Sequence, residues 1–113
     1  MDRASLLKQY ALGQRNFASS NLLETDLIAA ELSGIDLSYA DLRQCRLGRA
    51  NFSGADFQGA DLIESLLWGT DLTEANLDQA ILRETDLTGA KLIRAQLSDA
   101  YLAKASLCGV NLA

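Results

Sequence analysis

Ala50-Asn51-Phe52-Ser53-Gly54-Ala55-Asp56-Phe57-Gln58-Gly59-Ala60-Asp61-Leu62 states one five-residue phrase and repeats it: A-N-F-S-G, A-D-F-Q-G, A-D-L. Outward from this stretch the period never slips. Phe17, Leu22, Leu27, Leu32, Leu37, Leu42 and Leu47 precede it in register, and Leu67 through Leu112 follow at every fifth residue. All twenty positions of the series, 17 to 112, are Leu or Phe, without an insertion. Two residues before each stands a compact residue, Ala in eleven repeats; only Arg15 and Ile35 are large. Between the small and the large residue, twelve repeats carry Asp or Asn.

A period of five fits neither regular element. A helix with 3.6 residues per turn would scatter these leucines around its circumference. A strand would send alternate leucines to opposite faces. The chain must instead turn once per repeat and always present the large and small residues inward. A coil that closes after a few such turns and stacks on itself is a solenoid. Residues 2–14 stand outside the pattern. Ala4, Leu6, Leu7, Tyr10, Ala11 and Leu12 suit a short amphipathic helix at about 4–12, with Asp2 as its cap and Gly13 at its end.

The A-[D/N]-L-x-x unit resembles the pentapeptide-repeat family, over residues 15–113. The resemblance implies an all-β fold, a right-handed quadrilateral parallel β-helix with four repeats per coil. Carried over, it gives about five coils (15–34, 35–54, 55–74, 75–94 and 95–113), with residues 1–14 as a short N-terminal α-helical cap. It also implies a packed lumen with no ligand channel, so a Leu47→Asp change should unfold the domain. Such proteins abound in cyanobacteria. Most members have no assigned activity, so the resemblance implies a non-catalytic interaction module without choosing its partner; those that protect DNA gyrase resemble DNA.

Composition narrows the function classes. Hydrophobic residues make up 49% of 113 residues, enough for one small domain with a core. The formal charge of -5 argues against direct nucleic-acid binding and against an anionic membrane. Cys45 and Cys108 are too few for a disulfide framework or a zinc cluster. No apolar run suits a signal peptide or a membrane span, so a cytoplasmic location is expected. Histidine is absent, and no phosphate loop or nucleophile elbow occurs. The chain reads as a non-enzyme without a cofactor.

Residues twenty apart should stack on one side of the coil, which allows surface ladders to be read. Asp36 over Asp56, beside Asp41 over Asp61, forms an acidic strip. It is either a DNA-like surface directed at a topoisomerase, a metal site, or a set of side chains bonding local turns. Arg43, Arg46 and Arg49 form a basic collar, open to a phosphate or simply charge-balanced. Arg43 and Arg83 are expected to pair with Glu24, Glu64 and Glu84. Trp68, with Leu66 beside it and Ile28 two coils away, is a candidate partner surface or a packing cluster over Gly48. The C-terminal coil, with Leu107, Val110 and Leu112, and with Ile81 and Tyr101 nearby, lacks a polar cap and suggests a homodimer. The partner protein itself is unknown from sequence.

Overall fold

The computed structural model describes all 113 residues. From Arg15 onward one local event recurs. The N–H of each small residue donates back to the central Leu or Phe carbonyl, as Ala40 does to Leu37 at 3.1 Å. The residue just before the small one has φ between +57° and +70° at every turn from Ser19 to Gly109. Type II turns require a positive φ at that place. Glycine fills only six of these nineteen positions. The other thirteen, such as Ala29, Tyr39 and Glu64, hold ordinary side chains in a left-handed conformation that costs about 1–2 kcal/mol each. Such strain persists where the surroundings over-determine the backbone.

Those surroundings are the neighbouring coils. The stretches between turns are too short for extended strands, and each contributes one parallel bridge. The bridges run from Asn16↔Asp36 to Lys91↔Asn111, always twenty residues apart. Each central residue donates its N–H to the following coil (Phe17 to Asp36, 2.8 Å). Each residue before it donates to the preceding coil (Asp36 to Arg15, 2.8 Å). Four repeats therefore make one circuit with four sides. Side one carries Phe17, Leu37, Phe57, Leu77 and Leu97. Side two starts at Leu22, side three at Leu27 and side four at Leu32.

The central residues fill the lumen. Every one from Phe17 to Leu92 is buried, together with the small residues from Thr25 to Ala90. Phe52 and Phe57 meet edge to face at 5.0 Å across a corner. The last four central residues depart from a uniformly buried series. Leu97 and Leu102 are half-buried, and Leu107 and Leu112 are 46% and 66% exposed. Arg15 departs too. It occupies an inward position, but a guanidinium cannot enter an apolar lumen unpaired. It turns out instead, stacks 3.7 Å from the Tyr10 ring centroid and donates to the Tyr10 carbonyl at 2.9 Å.

At the N-terminal end lies α1, Arg3–Ala11. The Asp2 carboxylate accepts the Ser5 N–H at 2.8 Å, and this bond holds the Asp2 pKa below its usual value. Gly13, at φ +101°, ends the helix. Leu6 is fully buried against the lumen. Polar groups of residues 1–14 meet the carbonyls that no preceding coil serves. The Met1 amino group donates to Asn21, Arg3 to Asp26, Tyr10 to Ser33 and Gln14 to Asn16. These bonds give the carbonyls at this end of the sheet the protein partners that a neighbouring coil supplies elsewhere.

Candidate interaction surfaces

The four aspartates of the acidic strip do stack, since Asp36 bridges Asp56 and Asp41 bridges Asp61. Each also accepts the N–H two residues on: Ser38 at 2.9 Å, Arg43 at 3.2 Å, Gln58 at 2.9 Å and Ile63 at 3.2 Å. This Asx geometry is the reason Asp and Asn recur before the central residue. Arg43 lies between the two aspartates of side two, 2.7 Å from Asp41 and 3.9 Å from Asp61. The Arg43 hydrogen bond holds the Asp41 carboxyl below its usual pKa, and the Asp41 bond raises that of Arg43. The expected Arg43–glutamate pairing is therefore replaced by a pairing along its own repeat. No ion pair engages Arg83. The acidic residues form no group of three suited to a metal ion.

The basic collar disperses. Arg46 approaches Asp26 at 4.0 Å, where Arg3 also sits at 3.9 Å. Arg49 runs along Gly69. Each arginine is exposed and screened by solvent, so these pairs contribute about 0–1 kcal/mol.

Trp68, Leu66 and Ile28 share side three. The indole does not project. It lies flat on Gly48, where an added Cβ would fall within 2.7 Å of Cδ2 and closer still to two other ring carbons. Trp68 is half-buried as a result, while Leu66 remains 39% exposed. Tyr39 treats Gly59 in the same way, its ring covering the glycine of the following coil. A glycine in a small coil leaves a bare patch of backbone, and an aromatic ring from an adjacent coil covers it.

The structure separates the residues assigned to the C-terminal end. Leu107, Val110 and Leu112 line an apolar recess of about 260 Å³ opening at the end of the rod, walled by eight leucines and one valine. Ile81 and Tyr101 point out of side two instead, where Ile63, Arg83 and Ala103 complete a shallow depression. Ile63 was not singled out from the sequence; its signal is position, twenty residues from Arg43 and Arg83 in the column after the central leucine. Tyr101 is 62% exposed.

Cys45 is the one thiol in the lumen. It donates to the Leu22 carbonyl at 2.9 Å, and burial pushes its pKa up to about 11. Cys108 is exposed at the last coil. No helix is long and apolar enough to cross a membrane.

With these surfaces described, known proteins give a consistent comparison. The structure superposes on HetL, a pentapeptide repeat protein involved in heterocyst differentiation regulation from the cyanobacterium Nostoc sp. strain PCC 7120. The TM-score is 0.98 at 58% identity, covering 99% of this chain and 47% of HetL. The chain thus spans about half the length of that relative. A pentapeptide repeat protein (Rfr23) from the cyanobacterium Cyanothece 51142 matches at TM-score 0.61 and 28% identity, over 87% of this chain and 64% of the other. QnrB1, a plasmid-mediated fluoroquinolone resistance protein, matches at TM-score 0.54 and 22% identity, over 86% and 68%. That last likeness shows the fold alone. No curated protein sequence matches the chain. The family described as pentapeptide repeats matches in eight copies, over residues 12–49, 30–69, 70–107 and 90–113. The unbroken five-residue period, the twenty-residue bridge spacing and this match together place the chain in the pentapeptide-repeat family of right-handed β-helices.

Proposed function

We propose that the protein is a non-catalytic protein-interaction module that acts in regulation, with its side-two wall as the principal contact. The observation that carries this reading is the outward cluster of Ile63, Ile81 and Tyr101 around Arg83 on a rigid wall. An aromatic ring and an arginine framed by aliphatic side chains are the composition of a binding hot spot. Trp68 and Leu66, with Ile28, are a secondary contact on side three. The architecture belongs to the same proposal: residues 15–113 form five coils, and residues 1–14 form a cap on the first.

HetL supports the regulatory part of the reading, because its similarity runs through nearly the whole of this chain. The test is expression of the chain in a heterocyst-forming filament, with heterocyst frequency counted. A changed frequency is expected, and Ile63→Ser should abolish the change while leaving the melting temperature nearly intact. An unchanged frequency with the intact chain, or full activity of the Ile63→Ser variant, refutes the reading.

A gyrase-directed role for Asp36, Asp41, Asp56 and Asp61 is the second reading. Asp36 and Asp56 stack without an ion-pair partner, which favours it. A supercoiling assay at micromolar protein with neither inhibition nor protection removes it.

A further inference from the structure

Side two carries two arginines in one column, and the structure treats them oppositely. Leu23, Arg43, Ile63, Arg83 and Ala103 succeed one another at the position after the central leucine, one per coil. Beside Arg43 the neighbouring column supplies Asp41 and Asp61, at 2.7 and 3.9 Å. Beside Arg83 that same column, continued by bridges from Asp61 to Ile81 and from Ile81 to Tyr101, is apolar and aromatic. Arg83 has no ion pair. An exposed cation thus stands in an apolar frame, with half-buried Ile63 and Ile81 and exposed Tyr101 around it. The frame lies on the flank of the rod, away from either end of its axis.

We propose that this frame receives an amphipathic helix of a partner protein, laid along the rod, with a single carboxylate set on Arg83. Charge complementarity selects the carboxylate. It gives Arg83 what Asp41 and Asp61 give Arg43, and the apolar side chains around the pair exclude water and strengthen it. Asp61, Glu64 and Glu84 border the frame. Their field repels a polyanion such as nucleic acid, whereas one carboxylate held over Arg83 meets its opposite charge.

Spacing selects the helix. Ile63, Arg83 and Ala103 repeat at the separation of stacked coils, so the three span about 10 Å. On a helix, residues i, i+3 or i+4, and i+7 share one face and span about 10.5 Å. On an extended strand the side chains of one face, at i, i+2 and i+4, span about 13 Å and fall out of step. The helix therefore carries apolar side chains at i and i+7, over Ile63 and Ala103, and Asp or Glu at i+3 or i+4, over Arg83. A helix with its side chains is about 10–12 Å across, and the rod is 24 by 22 Å in section, so one wall holds one helix.

This inference rests on the side-two reading above and adds the partner's chemistry to it. The probe is a displayed library of helical peptides about four turns long, randomised on one face and selected on the 113-residue chain. Enriched peptides should carry Asp or Glu between apolar residues at the stated spacing. In fluorescence polarisation, Arg83→Met should weaken such a peptide about tenfold or more and make its Glu and Gln versions bind alike. Arg83→Glu should reverse the preference and take the version with Lys in place of Glu. Arg83 is exposed and unpaired, so the fold tolerates both changes, and circular dichroism checks this. No enriched peptide, enrichment of basic faces, or peptides indifferent to Arg83 overturns the inference. The filament assay separates it from the reading beneath it. If Ile63→Ser abolishes the frequency change and Arg83→Met leaves it whole, the wall remains the contact and the carboxylate is refuted. If Ile63→Ser is fully active while the peptides depend on Arg83, the helix site stands and the regulatory role falls.

Discussion

Gly48→Ala is a small change with a calculable effect. Gly48 does not have a positive φ, so alanine suits its backbone. The new methyl would overlap three carbons of the Trp68 indole. The backbone beneath is bonded to the coils on both sides and does not yield, so the ring must lift. A tryptophan buries about 150–250 Å², and a half-buried one that lifts off loses about 80–100 Å² of contact. At about 25 cal/mol per Å² this is ~2 kcal/mol. The lower unfolded-state entropy of alanine returns about 0.4–1 kcal/mol. The net destabilisation is about 1–1.5 kcal/mol, or roughly 4–8 °C in Tm. Trp68 is the only tryptophan, so its emission reports the lift directly as a red shift. In a Trp68→Ala background the overlap is gone, and Gly48→Ala should become neutral or stabilising. The cycle should give a coupling of about 2 kcal/mol. Equal costs in the two backgrounds, or unchanged emission, would refute the packing argument.

Four other outcomes follow from the same geometry. Leu47→Asp places a carboxylate at a position with no exposure and should leave no cooperative thermal transition by circular dichroism. The Ser65 hydroxyl is buried without a partner, so Ser65→Ala should stabilise by about 1 kcal/mol in a urea titration. Ala29 sits at φ +61°, and Ala29→Gly exchanges left-handed strain for backbone entropy; a gain of about 0.5–1 kcal/mol is expected by the same titration. Burial raises the Cys45 pKa from 9.0 to about 11, so a thiol reagent at pH 8 should modify Cys108 rapidly and Cys45 only after unfolding. Above pH 9 the unfolded chain releases the Cys45 proton while the folded chain keeps it; this contribution to stability is intact below that pH and declines as pH rises towards 11. Stability that rises over this range in the wild type relative to Cys45→Ala would contradict the sign.

What the sequence made legible was whatever the lumen controls. Leu62, Leu67 and Leu72 differ in neighbours and agree in role, because each must fill the same cross-section at the same point of a repeat. Burial therefore writes itself into the period. Surface geometry obeys no such rule. That Trp68 and Gly48 share a column follows from spacing, but that the ring lies down on the glycine is a rotamer choice. Arg43 had carboxylates within reach in its own repeat and in neighbouring columns, and the shortest ring closure, to Asp41, prevailed. Arg15 shows the limit from the other side: its position says inward and its charge says outward, and charge prevails at an end where solvent is near. Ile81 and Tyr101 look close to Leu107 and Leu112 in a linear reading, yet one residue of offset in the repeat turns them from cup to wall.

The twenty-residue spacing of the bridges has a consequence for how such a chain tolerates changes in length. Adding or removing one residue shifts every later leucine out of the lumen. Adding five between Gly48 and Trp68 keeps the lumen filled but rotates everything downstream by a quarter turn, carrying Trp68 from side three to side four and away from Gly48. Only a change of twenty restores each ladder to its own side. Length is thus quantised twice in this molecule, in fives for folding and in twenties for keeping a surface intact.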